Sequence, residues 1–385
     1  MRKRIGILTG GGDVPPLNAV IHSAFEEGIK LSIEVVGIIG GWQGLLDKSI
    51  VDLGHVNIDS EIGGTVLRSS RVNLGRVDDA YRKIAKNLSD LHLDGLIVIG
   101  GEDTLSNAFI LKDIPQILIS KTIDNDVGIN EPSRIVNYFT LGYPTAAQKI
   151  SSIVSLREGL RTTAYSHERI IIVESMGMHA GWLALSSSMG HPDFIIIPEF
   201  PLDYDLFKER IVDRYLRERN VIVVISEGAR WLGGKYVSAD ESNTDSFGHP
   251  KFKGAADVLA SKLKEDLKQY FDTRNVNSVN PSYLYRSGKP NELDYNSAVL
   301  LGREAVDILS KGITEPVFLT LESAGNGFYP ETFDLKQLSN IEGFHRFVDS
   351  RYYDADEYRL TAEGRAYLKK IVSEVDKVPY GIQWK

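Results

Sequence analysis

The sequence lacks cysteine, and it has no apolar run as long as a membrane span requires. The absence of cysteine excludes disulfides, thiolate zinc sites and a cysteine nucleophile. The first residues lead directly into an apolar strand, so we expect no signal peptide. From these features we expect a cytoplasmic protein that does not bind membranes.

Positive charge is also scarce, since 44 lysines and arginines face 52 aspartates and glutamates and give a net charge of −8. This balance argues against a general nucleic-acid-binding surface, but it permits a local basic pocket for a small anion. The length of 385 residues exceeds one ordinary core and favours two domains.

The two common glycine-rich nucleotide motifs, G-x-G-x-x-G and G-x-x-x-x-G-K-[ST], do not follow the first strand. Glycine clusters nevertheless follow apolar strands at residues 10–13 (GGGD) and 100–104 (GGEDT). Backbone N–H groups in such loops can hold phosphate. The alternatives are a tight turn at the first cluster and capping carboxylates, Glu102 and Asp103, at the second.

The sequence SKTIDND at residues 120–126 follows the apolar residues 115–119, which predict a buried strand. Lys121, Asp124 and Asp126 therefore arrive at the carboxyl end of a strand, where open α/β sheets bind ligands. A lysine suits phosphate, and two carboxylates can divide metal binding and proton abstraction. A polar turn without chemistry is the alternative for an isolated D-x-D.

Alternating strands and helices continue after residue 142 and predict a second α/β domain. Residues 340–385 show a less regular pattern, and the sequence assigns no chemistry to them.

The order of the motifs resembles the phosphofructokinases, which phosphorylate fructose 6-phosphate at carbon 1. Eight motifs match in the family's order between about residues 4 and 305, at residues 10–13, 63–71, 100–104, 121–126, 166–169, 176–177, 226–228 and 281–286. The resemblance implies two Rossmann-like α/β domains with the active site in the cleft. The larger, donor-binding domain would comprise residues 1–137 and about 285–335, and the smaller, sugar-phosphate-binding domain 138–284 and about 336–385.

The resemblance also implies a role for each matching residue. Asp124 would be the general base, with Lys121 and Thr122 beside it, and Glu102 and Asp126 would hold Mg²⁺. The residues facing the donor would be Gly11, Arg71, Gly101, Asp103, Thr104 and Lys121. The residues binding the sugar phosphate would be Thr122, Asp124, Arg169, Met176, Gly177, Glu227, Tyr283 and Arg286.

Two residues indicate the donor. Members that use ATP carry glycine at the position of Asp103 and usually at that of Lys121, whereas members that use pyrophosphate carry aspartate and lysine. An aspartate would repel the α-phosphate of a nucleotide, and a lysine adds charge for a small donor that lacks adenosine. We therefore expect Mg²⁺-dependent, reversible transfer from pyrophosphate to the 1-hydroxyl of fructose 6-phosphate, a step of glycolysis. Arg169 typically reaches a neighbouring subunit's site, which implies a homo-oligomer, a dimer or a tetramer.

Three residues depart from the family pattern. Met178 stands where an arginine stabilises the transferring phosphoryl group, Asn277 stands where a basic residue grips the sugar phosphate, and Pro16 stands where glycine is usual. These departures keep open a different sugar acceptor, ATP as donor, or a weakly active regulatory or binding homologue. A nucleotide-binding dehydrogenase fits poorly, because residues 121–126 have no task in hydride transfer.

Overall fold

A computed structural model describes residues 2–131, 134–244, 250–252, 254–325, 327–337, 341–378 and 380–381. The strands in chain order are β1 Arg4–Thr9, β2 Glu34–Ile38, β3 Ile50–Asp52, β4 Gly95–Gly100, β5 Gln116–Thr122, β6 Ile129–Glu131, β7 Arg134–Val136, β8 Leu141–Gly142, β9 Ile170–Ser175, β10 Phe194–Ile196, β11 Val221–Ser226, β12 Ala239–Thr244, β13 Pro250–Phe252, β14 Val276–Val279, β15 Val317–Ala324, β16 Gly327–Asp334, β17 Tyr353–Asp354 and β18 Arg359–Leu360.

The helices in chain order are α1 Leu17–Lys30, α2 Gly41–Leu46, α3 Ala80–Asp90, α4 Glu102–Leu105, α5 Tyr143–Val154, α6 Arg161–Ser166, α7 Trp182–Ser186, α8 Tyr204–Glu218, α9 Ala255–Asp266, α10 Glu292–Lys311 and α11 Ala362–Leu368. Local sequence sets several of their ends. The side chain of Asn291 accepts a hydrogen bond from the backbone N–H of Asp294 at the start of α10, and Gly312 ends that helix with φ +84°.

The chain divides into two compact units. Unit 1 comprises Met1–Thr145 and Arg286–Arg346, and unit 2 comprises Ala146–Tyr285 and Phe347–Lys385. The family resemblance predicts that the second segment of the donor-binding domain ends near residue 335, whereas unit 1 of the structure extends to Arg346. The residues just before Arg346 therefore lie with the first strands of the chain.

Unit 1 is built around an eight-stranded sheet in the order β16-β15-β5-β4-β1-β2-β3, with β8 paired to β5. The strands from β15 to β2 are parallel to their neighbours, and the edge pairs β2–β3 and β15–β16 are antiparallel. Every residue of β4 is buried, as a central parallel strand covered on both faces requires.

Unit 2 contains a parallel four-stranded sheet in the order β10-β11-β9-β14. Its core joins the apolar residues of these strands to one face of α8 and of α9. The predicted α/β fold class is confirmed in each unit. Within the described residues, the model has no helix with both the length and the apolar character needed to cross a bilayer.

Candidate active site

The strand order of unit 1 creates a crevice between the carboxyl ends of β1 and β4. The chain leaves β1 toward β2 on one side, and it leaves β4 toward β5 on the other. The loops that follow β1 and β4 therefore diverge, and in open α/β sheets this switch point is where ligands bind. Residues 10–13 and 101–104 occupy these two loops.

Lys121 lies beneath the glycine loop after β1. Its side chain is buried, and its Nζ donates a hydrogen bond to the carbonyl oxygen of Gly12 at 2.5 Å. Gly11 has φ +77°, and a Cβ atom there would stand 3.0 Å from Nζ of Lys121. Glycine is thus needed both for the backbone conformation and for the close approach of the lysine.

The ammonium group of Lys121 is poorly solvated, and its pKa reflects this. Burial, followed by the positive charges of Arg286 and Arg71, lowers the pKa to about 8, although the carboxylates of Asp13 and Asp126 oppose the shift. A negatively charged ligand at the glycine loop would favour the charged form of the lysine. Lys121 is therefore a cation whose charge a bound anion would stabilise.

Beside the glycine loop lies an open cavity of about 500 Å³. Its lining residues are Gly11, Gly12, Asp13, Gly64, Thr65, Ser69, Ser70, Arg71 and Arg286. The glycine clusters near residues 11 and 64 thus meet in one polar pocket that contains two arginines. The hydroxyl of Ser69 donates to the carbonyl of Gly11 at 2.5 Å and fastens the two loops together.

Arg286 lies at the glycine loop of unit 1, although the resemblance assigns it to the sugar phosphate. Its Nε is 3.4 Å from Oδ1 of Asp13, and a Cβ atom on Gly12 would be 3.0 Å from its Nη1. Within unit 1, its charge therefore adds to those of Arg71 and Lys121 around the cavity.

The loop after β4 carries Glu102, Asp103 and Thr104. The helix α4 that starts here is a single turn followed by a 3₁₀ turn at Ser106–Phe109, so it has only a small dipole for an anion. Asp103 is exposed, whereas Thr104 is buried, and its side chain fills the space left open by Gly10 and Gly100. Thr104 thus supports the glycine loop by packing.

The polar loop after β5 brings Thr122, Asp124 and Asp126 together. The hydroxyl of Thr122 accepts a hydrogen bond from the backbone N–H of Asp124 at 3.1 Å. Asn125 adopts the left-handed conformation with φ +55°, which asparagine tolerates better than most residues, and turns the chain between the two carboxylates.

Asp126 and Glu102 are close enough to influence each other's charge. Burial raises the pKa of Asp126, and the Glu102 carboxylate adds to this rise, whereas His345 and the Thr122 hydroxyl oppose it. Because the Glu102 carboxylate disfavours the charged form of Asp126, a cation bound near both groups would relieve this repulsion.

These two carboxylates fit a magnesium ion that shares its ligands with a phosphate donor. In the part of the chain that the structure describes, no three His, Cys, Asp or Glu side chains form a group that would enclose a metal. Proteins commonly hold Mg²⁺ with one or two carboxylates together with substrate phosphates and water. A site with two carboxylates therefore fits Mg²⁺ better than it fits zinc or calcium, which need more protein ligands.

The sequence interpretation missed His345 and Arg346. Nδ1 of His345 lies 2.9 Å from Oε2 of Glu102. Arg346 is buried and donates to the carbonyl oxygens of Asn125 at 2.9 Å and Asn137 at 2.7 Å. Both residues lie more than 200 positions from their partners in the sequence, and no short motif surrounds them. A recurrent sequence pattern therefore could not have identified them.

In unit 2, the carboxyl ends of β9 and β11 hold Met176, Gly177 and Glu227. The backbone N–H of Gly177 donates to Oε1 of Glu227 at 3.1 Å, and the hydroxyl of Ser226 donates to the carbonyl of Gly177 at 2.5 Å. Gly177 has φ +119°, a conformation that glycine adopts readily. Met178 follows this turn and is half-buried, with its backbone packed against Gly228.

Arg169 lies at the opposite end of the same sheet, directly before the first residue of β9. The six residues of β9 separate Arg169 from Met176, and seven steps of about 3.3 Å place their backbones about 23 Å apart. Asn277, paired in register with Ile171, lies near the Arg169 end. Arg274, near that end too, forms an ion pair with Asp272 at 2.6 Å.

Tyr283 belongs to the 3₁₀ turn Ser282–Arg286 at the end of unit 2, and the residue is 68% exposed. Its neighbour Tyr285 is buried and donates its hydroxyl to the carbonyl of Glu174 at 2.7 Å. Tyr285 anchors this turn, and Tyr283 remains accessible for a ligand.

A parallel α/β sheet with a glycine-lined, lysine-bearing polar crevice at its switch point defines a phosphate-binding α/β protein. The sequence model of the phosphofructokinase family (PFK) matches residues 4–309. The chain therefore belongs to the phosphofructokinase family of enzymes. The enzymes of this family are transferases of the kinase type, as the sequence predicts.

Curated relatives include members named for either donor. The chain is 37% identical over 360 residues to a pyrophosphate--fructose 6-phosphate 1-phosphotransferase of Dictyoglomus thermophilum, covering 92% of this chain and 97% of the relative. It is 36% identical over 316 residues to an ATP-dependent 6-phosphofructokinase 3 of Streptomyces coelicolor, covering 80% and 88%. A pyrophosphate--fructose 6-phosphate 1-phosphotransferase of the same organism matches with the same identity and coverage.

Solved structures share the fold. A crystal structure of a pyrophosphate-dependent phosphofructokinase from Nitrosospira multiformis aligns with a TM-score of 0.81 at 20% identity, covering 98% of this chain and 94% of the other. One from Marinobacter aquaeolei aligns with a TM-score of 0.79 at 19% identity, covering 99% and 94%.

Proposed function

We propose that this protein transfers a phosphoryl group from pyrophosphate to the 1-hydroxyl of fructose 6-phosphate. The observation that carries the donor assignment is the buried Lys121 under the glycine loop, together with Asp103 on the facing loop after β4. Pyrophosphate lacks an adenosine for anchorage, so its binding depends on positive charge. Arg71, Lys121 and Arg286 supply that charge around one cavity.

In this proposal the polar groups of the candidate site in unit 1 have separate roles. Asp124 takes the proton from the attacking sugar hydroxyl, and Thr122 fixes the backbone that carries Asp124. The glycine-loop backbone and the three cations orient the donor and stabilise the charge on its oxygens. Glu102 and Asp126 would hold Mg²⁺, which would neutralise phosphate charge when bound.

ATP as donor is the second candidate, and the pair of Streptomyces relatives motivates it. Both match this chain with 36% identity, although one is named for ATP and the other for pyrophosphate. Overall similarity therefore does not distinguish the donors, and the assignment rests on Asp103 and Lys121.

A steady-state assay with each donor tests the proposal, using fructose 6-phosphate as acceptor. We expect turnover with pyrophosphate, and we expect Asp103→Gly to shift the ratio of kcat/KM for pyrophosphate over ATP toward ATP by about tenfold. One like-charge contact near a protein surface is large enough for this change, since tenfold corresponds to about 1.4 kcal/mol.

Asp205→Gly is the matched control, because Asp205 also lies exposed in the first turn of a helix, in this case α8. This control should leave the donor ratio unchanged. Turnover of the unaltered protein with ATP alone would overturn the donor assignment, and turnover with neither donor would favour a regulatory homologue, which Met178 and Asn277 motivate. Sedoheptulose 7-phosphate in place of fructose 6-phosphate tests the acceptor.

A further inference from the structure

The segment Phe344–Arg346, here named the returning segment, brings the end of unit 1 back to its active loops. Phe344 is 1% exposed, and its ring lies 4.6 Å from that of Phe318 and 5.3 Å from that of Phe333, measured between centroids. This aromatic cluster belongs to the core of unit 1. The position of the residue that follows Phe344 is thus set by core packing.

Backbone hydrogen bonds then align the returning segment with the loop after β5. The N–H of Gly128 donates to the carbonyl of Phe344 at 2.8 Å, and the N–H of Arg346 donates to the carbonyl of Asp126 at 2.7 Å. These bonds form an antiparallel bridge that pairs Val127 with His345. His345 therefore stands in fixed register beside Asp126.

The side chain of His345 reaches from this bridge to Glu102 in the other active loop. An ionised carboxylate can only accept, so the ring N–H at Nδ1 donates to Oε2 of Glu102 across 2.9 Å. The side chain of His345 is 12% exposed and that of Glu102 is 36% exposed. The histidine is thus held by the core, while the carboxylate keeps a face open to a ligand.

We propose that His345 is a positioning residue that fixes the Glu102 carboxylate beside Asp126 for the divalent cation of the phosphate donor. The inference rests on the proposed function, because it needs a metal–diphosphate complex at this site. Glu102 is the first residue of a one-turn helix and has three side-chain torsions, so the short helix alone constrains its carboxylate weakly. The hydrogen bond from His345 adds a constraint that the short helix does not provide.

Partners that orient metal-binding carboxylates are worth about 10- to 100-fold in metal affinity. Asparagine at position 345 places an amide N–H near the position of Nδ1, whereas glutamine places it near Nε2. We therefore expect His345→Asn to bind the metal nearly as well as the unaltered protein. We expect His345→Leu and His345→Gln to bind it about tenfold more weakly.

The experiment is a Mn²⁺ titration followed by electron paramagnetic resonance, in the presence of methylenediphosphonate, a diphosphate that is not cleaved. This measurement needs no catalytic turnover. His55→Leu is the matched control, because His55 also lies beside an aspartate, with Nδ1 3.6 Å from Oδ2 of Asp52, but on the exposed surface of unit 1. The control should retain the affinity of the unaltered protein.

Each outcome discriminates. Equal Mn²⁺ affinity in all His345 variants overturns the inference, and equal losses in the asparagine and glutamine variants also do so, because the ring and not its Nδ1 hydrogen bond would then matter. If His345→Leu does not fold, the asparagine–glutamine contrast still decides. Failure of the unaltered protein to bind Mn²⁺ with the diphosphate overturns the proposed function itself.

Discussion

Lys121 combines deep burial with a positive neighbourhood, a combination that makes its charge sensitive to pH and to ligands. Its pKa near 8 arises first from burial and then from Arg286 and Arg71. A protonated lysine binds an anionic donor, and a neutral one does not. The lysine therefore links donor affinity to pH in the mildly alkaline range.

We expect kcat/KM for pyrophosphate to fall above about pH 8, because the free protein then loses the proton that donor binding needs. The fall should approach tenfold per pH unit, as expected for loss of one proton. Lys121→Met should lower kcat/KM throughout and remove this alkaline limb. A pH profile measured from pH 6.5 to 9.5 checks the prediction, with Lys311→Met, an exposed helix-end lysine, as control.

A profile that falls identically in Lys121→Met would assign the alkaline limb to another group.

The folding stability should respond to rising pH in the opposite sense to donor binding. The fold lowers the pKa of Lys121 below its unfolded value of 10.5, so it favours the neutral form, and this group opposes folding less as pH rises from about 8 toward 10.5.

The positions of several site residues could be predicted from the sequence, because strand ends fix them. Lys121 and Asp126 follow an apolar run, and Glu102 follows another, so the meeting of parallel strands at one edge places them together. The packing role of Thr104 beneath Gly10 was not accessible. It depends on how closely two loops approach, which no local pattern records.

At the scale of elements, the returning segment closes the loop that carries Asp124 and Asp126. Besides the backbone carbonyls of Asn125 and Asn137, Arg346 hydrogen-bonds the side-chain oxygen of Asn125. One guanidinium thus holds both the turn at Asn125 and the chain that leaves the loop. This accounts for a fully buried arginine near the candidate active site, since buried acceptors left without a donor are costly.

We expect Arg346→Met to destabilise the protein by about 3 kcal/mol, because at least two buried carbonyls lose a charged donor. In a protein of 385 residues the thermal midpoint should then fall by about 4 °C. Differential scanning calorimetry measures it. Arg217→Met, which removes an exposed arginine paired with Asp213, should change the midpoint little.

An unchanged midpoint in Arg346→Met would show that the loop is held by other contacts.

The sequence could predict the parallel strands and their order of appearance, because continuous apolar runs mark central strands. It could not predict the antiparallel edges β3 and β16 or the return at Phe344, since short edge strands and long-range bridges leave weak periodicity.

At the scale of the whole molecule, the position of Arg169 argues for a shared active site. It lies at the amino end of β9, about 23 Å of strand away from Met176 at the carboxyl end. One sugar phosphate cannot contact both ends of this sheet within a single unit 2. If both ends bind the sugar phosphate, as the family resemblance implies, the two groups must come from two chains of a homo-oligomer.

Mixing two inactive variants tests this arrangement. Arg169→Ala lacks the phosphate-binding arginine, and Asp124→Ala lacks the base in unit 1. A hybrid oligomer of the two has some sites in which both residues are intact, because they come from different chains. After the variants are unfolded and refolded together, we expect about a quarter of the normal activity for a dimer with freely mixed chains, while each variant refolded alone stays inactive.

Mixing Asp124→Ala with Lys121→Ala is the control, because Asp124 and Lys121 both belong to unit 1. That pair cannot restore activity, because every site takes both residues from one chain and each chain in the mixture lacks one of them. Recovery in the control, or none in the test pair, would show that Arg169 does not serve a neighbouring chain.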